Sequence, residues 1–341
     1  MKALVWEGPR MMVMHEQANP APDHDQVLLR VAYAGICGSE LSGYLGHNAL
    51  RVPPLVMGHE FSGEIVAIGA GVLEVQPGLA VGQAVTVNPL ASCGSCHHCV
   101  RGLNHLCGQR KLLGASLPGA FAEFVRVTAE QVHVLPLGMT ARIGALTEPV
   151  AVGVRIGELA GEVSNEAALV LGAGPIGLLA LQVLQARGAK RVFIADLDHE
   201  RLAMGGALGG EVLNPRALDV VGTVREATGG LGVAVSVDAV GTAGTRAQCV
   251  AATRSAGTMI LSGLHEETSA MPASEIIRRE IVVKGSFAYS PANFRQALEL
   301  LAQGTIRLDP WIIEAPLEDG GKWFERLIEA PGNVSKVLLV P

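Results

Sequence analysis

The sequence has no basic surplus: 26 Lys and Arg stand against 32 Asp and Glu in 341 residues, for a formal net charge of −6. No run of Lys or Arg occurs, so the chain offers no positive field for a polyanion and nucleic acid is not an expected partner. An uninterrupted apolar stretch of membrane-spanning length is also missing. Residues 167–186 carry no charge but are broken by Gly172, Gly174, Pro175 and Gly177, which reads as a turn and excludes the membrane as a partner. The opening MKALVWEGPR places Glu7 and Pro9 where a signal peptide needs a continuous apolar region, so a cytoplasmic location is expected. Internal repeats and low-complexity tracts are absent, which excludes repeat architectures.

What is present is a folded chain, 49% hydrophobic and 17% charged, too long for one core and suited to two domains. The first third alternates short β-rich runs (27–33, 62–68, 84–87) with Gly and Pro, the pattern of a small β-barrel-like unit. From about residue 152 the pattern becomes strand, Gly-rich turn and helix. AALVLGAGPIG, LLALQVLQARG, RVFIADL, VAVSVDAVG and TMILSGL describe buried parallel strands separated by helices, hence a doubly wound sheet covered on both faces. A helix over 293–303 and a strand over 337–340 close the chain. The expected division is 1–151 as a β domain, 152–285 as a dinucleotide domain and 286–341 as a return to the first.

Four of the six cysteines, Cys93, Cys96, Cys99 and Cys107, fall in the spacing C-x2-C-x2-C-x7-C, with Gly94 and Gly102 freeing the loop to wrap an ion. Four thiolates close a tetrahedral shell around zinc and leave no place for water, which marks a structural site. Free buried cysteines or a disulfide pair fit so polar a loop poorly. An iron–sulfur cluster uses the same ligands, but nothing else in the chain points to electron transfer.

Cys37 lies in AGICGSE and His59-Glu60 in MGHEFSGE, so a thiolate, an imidazole and a carboxylate each stand near a glycine of the β domain. One soft and two harder ligands suit a catalytic zinc that keeps room for substrate. Singly, each reads as an ordinary core or polar residue.

Gly172-Ala173-Gly174-Pro175-Ile176-Gly177 follows an expected strand and leads into a helix, the context that GxGxxG requires. Gly172 permits the turn, Gly174 lets the backbone approach a pyrophosphate and Gly177 lets the helix pack on the sheet, with the positive helix end facing the phosphates. Asp196, nineteen residues after Gly177, ends the strand RVFIAD. A carboxylate there accepts from ribose hydroxyls and repels a 2′-phosphate, which favours NAD over NADP. Arg201 pulls the other way, since an Arg near the adenine ribose also serves NADP.

Taken together, the order of Cys-Gly-Ser, Gly-His-Glu and the four-Cys lobe resembles the zinc-containing medium-chain alcohol and polyol dehydrogenases. TEPVAVG, ATRSAGTMILSGL and IIRREIVVKGSF are similar to the sorbitol dehydrogenase branch, and the C-terminal half also resembles galactitol-phosphate dehydrogenases. The resemblance implies a GroES-like β-barrel catalytic domain joined to a Rossmann domain, and oxidation of a secondary alcohol to a ketone with zinc and NAD. It implies that Cys37, His59 and Glu60 bind or approach the catalytic zinc, with Glu148 ligating it or holding its water, although a Glu before Pro149 could equally cap a helix. Ser39 is implied as the first acceptor of the alcohol proton and Arg201 as a cover for the adenine. Ile176, Ser262, Gly263, Leu264, Ser286 and Phe287 are implied to line the nicotinamide half.

Tyr44, His47 and Leu55 are expected to face the substrate, a small alcohol such as a polyol, diol, sugar phosphate or the amino-alcohol threonine. A homodimer or homotetramer joined through edge strands is implied, with residues 260–264 contributing. Two positions depart from the family's pattern. Ser42 stands where many members carry a relay His, and Ala288 stands where the sorbitol branch commonly has Arg. The competing readings are a zinc-free quinone or enone reductase, against which Cys37, His59, Glu60 and Asp196 speak, and a non-catalytic NAD-binding protein of the same fold.

Overall fold

A computed structural model describes all 341 residues. The chain forms two compact units, one of residues 1–148 and 290–341, the other of residues 149–289. No helix is long and apolar enough to cross a membrane.

The first unit is built on a mixed sheet whose strands run in the order Val132–Val134, Ala84–Val87, Glu60–Ile68, Gln26–Gly35, Lys336–Val340 and Ile312–Pro316, with Phe124–Thr128 also paired to Gln26–Gly35. Alternation along Gln26–Gly35 buries Val27, Leu29 and Val31 on one face, where they join Phe61, Ile65, Val85 and Val125 in the core. A smaller sheet of Met11–Glu16, Lys2–Gly8 and Leu55–Val56 covers the barrel. The register pairs Gly35 with Glu60 on one side and with Leu338 on the other. The last strand, Lys336–Val340, is thereby separated from the strand that opens at Glu60 only by Gln26–Gly35.

The second unit is a six-stranded, all-parallel sheet in the order Glu211–Leu213, Arg191–Ala195, Ala167–Leu171, Val233–Asp238, Thr253–Leu261, Val282–Gly285, that is, 3-2-1-4-5-6 in chain order. Continuous apolar strands such as AALVL and RVFIA are buried because helices cover both faces. The order reverses between Ala167–Leu171 and Val233–Asp238, and ligands of such sheets bind beyond the carboxyl ends at that reversal.

Two expectations are corrected here. Residues 260 and 261 do not offer a sheet edge, because Thr253–Leu261 is paired on both sides and Ile260 is fully buried; the edge strands are Glu211–Leu213 and Val282–Gly285. Tyr44 does not face substrate either. Its ring packs 5.1 Å from that of Phe324 and its hydroxyl donates to Glu325 at 2.7 Å, so it belongs to the core of the first unit. Leu55 is likewise buried, paired with Trp6, whereas His47 is exposed.

Candidate active site and dinucleotide cleft

Ligating atoms of Cys37, His59 and Glu60 all lie within 4.8 Å of one another. Cys37 caps the helix Gly38–Tyr44, whose third residue, Glu40, reaches back to accept from the Cys37 amide at 3.0 Å. The same carboxylate accepts from the Gly58 amide at 2.8 Å and lies 2.7 Å from His59 Nδ1. This fixes the ring with Nε2 as the nitrogen left for a metal, the usual arrangement of a carboxylate behind a ligating histidine. Burial opposes a charge on His59, but Glu40 and then Cys37 outweigh it and hold the metal-free imidazole well above its ordinary pKa. Burial likewise works against the Glu40 carboxylate, and His59 overcomes it, so that Glu40 titrates below the usual range.

Glu60 is held differently. Lys336, itself buried, donates to Glu60 Oε1 at 2.8 Å and to the Ile36 carbonyl at 3.1 Å, while Oε2 lies 2.6 Å from the ammonium without receiving a hydrogen bond. Burial disfavours the charge on Lys336, but Glu60 and then Cys37 keep its pKa raised. Gly35 makes the pair possible, since a Cβ there would stand 2.4 Å from Glu60 Oε2. A carboxylate, a thiol and an imidazole nitrogen whose ligating atoms lie within 4.8 Å of one another form a donor set that fits zinc.

Glu148 is buried at the start of the helix Thr147–Ala160 and is not one of the three residues with ligating atoms within 4.8 Å of one another; its charge reaches Lys336. Ser39 donates to Cys37 Sγ at 3.5 Å and is exposed.

The four cysteines of the lobe converge as a second group. Separations of 3.5 Å (Cys96–Cys99), 3.6 Å (Cys93–Cys107) and 3.9 Å (Cys93–Cys99) are too long for disulfides. A tetrahedron with metal–sulfur bonds of about 2.3 Å has edges of about 3.8 Å, so the lobe is already shaped for zinc. The amide of Ser95, then that of Cys96, favours the thiolate of Cys93, and the amide of Cys99 favours that of Cys96, while burial pushes Cys99 upward.

In the second unit Gly172, at φ +98°, turns the chain out of Ala167–Leu171, and Gly174 caps the helix Pro175–Ala186 with Pro175 in its first turn. A Cβ on Gly177 would stand 1.8 Å from the Gly172 carbonyl, whereas a Cβ on Gly174 would meet nothing within 4 Å. Crowding therefore demands the last glycine, and the open space at Gly174 is where a phosphate can approach the backbone. Asp196 Oδ2 accepts from Ala173 at 2.7 Å and Oδ1 from Asp198 at 2.9 Å, leaving each oxygen a further lone pair for a ribose hydroxyl. Gly172, Asp196, Arg201 and Arg216 line one cleft of about 510 Å³.

Ile176 lies in the first turn of that helix. Ser262 and Gly263 donate to the Asp238 carbonyl at the carboxyl end of the sheet, where Leu264 and Phe287 are exposed and Ser286 Oγ is buried without a partner. An unsatisfied hydroxyl at this end of the sheet, with the open glycine backbone, fits a dinucleotide.

Residues 23–137 match the alcohol dehydrogenase GroES-like domain and residues 175–303 the zinc-binding dehydrogenase domain. The chain is 33% identical to the 2-dehydro-3-deoxy-L-galactonate 5-dehydrogenase of Pseudoalteromonas atlantica, over 93% of this chain and 92% of that protein. It is 34% identical to the sorbitol dehydrogenase of Halalkalibacterium halodurans, over 100% and 99%. The solved (2R,3R)-butanediol dehydrogenase of Bacillus subtilis superposes with a TM-score of 0.92 at 30% identity, over 100% and 99% of the two chains.

This chain belongs to the zinc-containing medium-chain alcohol and polyol dehydrogenases. Its reaction class is therefore that of a zinc-dependent oxidoreductase acting on a small-molecule alcohol, and a non-catalytic role is not favoured. Sequence reasoning missed three residues of this dehydrogenase site: Glu40, Gly35 and Lys336. Only Glu40 carried a local signal, its position three residues after the capping Cys37.

Proposed function

We propose that this dehydrogenase oxidises a secondary hydroxyl of a small polyhydroxylated molecule to a ketone, with NAD as hydride acceptor. The convergence of Cys37, His59 and Glu60 is the observation that carries this reading. Zinc held by Cys37, His59 and Glu60 would supply a Lewis acid toward the alcohol oxygen and NAD would supply the hydride acceptor, the net conversion being alcohol and NAD to ketone, NADH and a proton.

The protein's part is positioning. Cys37 and His59 are held by Glu40, Glu60 is restrained by Lys336, and Ser39 stands beside Cys37 with a hydroxyl able to exchange hydrogen bonds with the substrate oxygen. Glu148, buried at the start of the helix Thr147–Ala160, is the further carboxylate that would ligate the zinc or hold its water. The preference for NAD rests on Asp196, whose carboxylate repels a 2′-phosphate, while Arg201 covers the adenine. The relatives' names span a polyol, a vicinal diol and a sugar acid, and their shared chemistry is an open-chain carbon bearing a hydroxyl.

A screen of sorbitol, 2,3-butanediol, sugar acids and threonine with NAD, followed at the nicotinamide absorbance alongside metal analysis, tests the proposal. Reduction with at least one alcohol is expected, and Cys37→Ser abolishes it while NAD still binds. No turnover with any of them, or equal loss of NAD binding in the variant, overturns it.

A further inference from the structure

Arg51 is buried, with 4% of its surface exposed, in the loop between the helix Gly38–Tyr44 and the strand Leu55–Val56. Its guanidinium makes no ion pair. It donates through Nε to the Gly114 carbonyl at 3.1 Å, and through its two terminal nitrogens to the Ser39 carbonyl at 3.1 Å and to Ser39 Oγ at 3.3 Å. The fold makes room for it, since a Cβ on Gly43 would stand 2.5 Å from Arg51 Cδ. A buried cation held only by neutral acceptors is costly, and its charge reaches Glu40 behind His59.

A guanidinium donates hydrogen bonds, accepts none and keeps its proton. Ser39 Oγ, receiving one from Arg51, therefore turns its own hydrogen away from the guanidinium, and it does so toward Cys37 Sγ at 3.5 Å. Arg51 thus sets the direction of the one hydroxyl beside the ligand thiol. At Ser42, where many members of the family carry a relay His, this chain has no titratable side chain. The charged groups around the same point are Cys37, Glu40, His59, Glu60 and Lys336. Arg51 stands beside them, and it is Arg51 that donates to the Ser39 carbonyl and to Ser39 Oγ.

We propose that Arg51 is a positioning residue that aims the Ser39 hydroxyl at the substrate oxygen and supplies a fixed positive charge favouring the ionised alcohol. It transfers no proton. The proton released by the alcohol leaves through solvent at exposed Ser39, not through a side-chain base at position 42. This inference rests on the alcohol-oxidising reading above.

The test compares Arg51→Gln, Arg51→Lys, Ser39→Ala and the Arg51→Gln/Ser39→Ala double variant. Arg51→Gln is expected to lower kcat/KM about tenfold at neutral pH and to move the acidic limb of its pH profile up by about one unit, with KM for NAD unchanged. Arg51→Lys keeps the limb within about 0.3 unit because the charge remains. In the Ser39→Ala background the effect of Arg51→Gln on kcat/KM shrinks. The visible absorption of the cobalt-loaded protein, titrated with pH without substrate or NAD, is expected to shift upward in Arg51→Gln.

An unmoved limb and an unmoved cobalt titration, with only a lower Tm, would make Arg51 merely structural and overturn the proposal. An effect undiminished in the Ser39→Ala background does the same. Should Arg51→Gln not fold, Arg51→Met is read in its place by the same criteria: a limb raised by about one unit supports the proposal and an unmoved limb overturns it. Because the cobalt titration needs no turnover, it separates failure of this inference from failure of the alcohol-oxidising reading.

Discussion

The Lys336 ammonium sits 2.8 Å from Oε1 and 2.6 Å from Oε2 of Glu60, although 276 residues separate the two in the chain. The last strand of the protein therefore charges and restrains a residue of the candidate zinc site. Gly35, between them, is the residue whose missing side chain permits it.

Lys336→Met leaves the Glu60 carboxylate buried without its partner, and loss of one member of such a pair costs about 3–5 kcal/mol. A divalent cation can take over part of the compensation, since a ligand that binds only the folded state stabilises it. The gap in Tm between wild type and variant is expected to be wide in chelator and narrower in excess zinc. An equal gap in both would show that Glu60 does not face the metal.

Cys99→Ser removes one corner of the four-thiolate lobe and with it the folding free energy of a structural metal. Lower Tm and poorer solubility are expected, together with a loss of one bound zinc per chain. Turnover of the remaining folded fraction stays within a few-fold of wild type. Unchanged Tm and zinc content would argue that the lobe holds no metal.

Asp196→Ala removes the charge that a 2′-phosphate would meet in the cleft shared with Arg201 and Arg216. A unit-charge repulsion at about 4 Å amounts to about 1 to 4 kcal/mol at surface-like dielectric. The ratio of kcat/KM for NADP to that for NAD is expected to rise between about fivefold and a thousandfold. A constant ratio would remove Asp196 from cofactor choice.

His133, in the strand Val132–Val134 with its ring 4.9 Å from that of Phe294, has its pKa pushed down to about 4 by burial and then by Arg295. Its folded pKa lies below its unfolded value of 6.5, so between those values the unfolded chain binds the proton and the folded one does not. Stability is therefore lost as pH falls from 6.5 toward 4, by up to about 2 kcal/mol at pH 5. His133→Phe flattens that loss, which urea unfolding at pH 7 and pH 5 measures; an identical loss in the variant counts against the assignment.

Much of the architecture was legible because it is written in local periodicity. The continuous apolar strands AALVL, RVFIA and VAVSVD, each followed by a helical run, announce a buried parallel sheet. The glycines at 172, 174 and 177 announce the turn and close helix packing that the structure shows there. The Cys93–Cys107 spacing was legible for the same reason, as a short loop can bring together only what lies close in sequence. The misplacement of Tyr44 has the opposite origin. Its environment is Phe324 and Glu325, residues from the far end of the chain that no local pattern predicts.

The sequence by itself determined which elements form, the two-unit plan and the identity of the chemical groups: a thiolate, an imidazole, a carboxylate and a glycine turn. Only the tertiary structure decided how those groups are charged and aimed. Glu40 behind His59, Lys336 against Glu60 and Arg51 on Ser39 arise from strand register and loop packing. The physical reason is range: backbone preference acts over a few residues, whereas the field at a buried side chain is summed over every charge that folding brings near it.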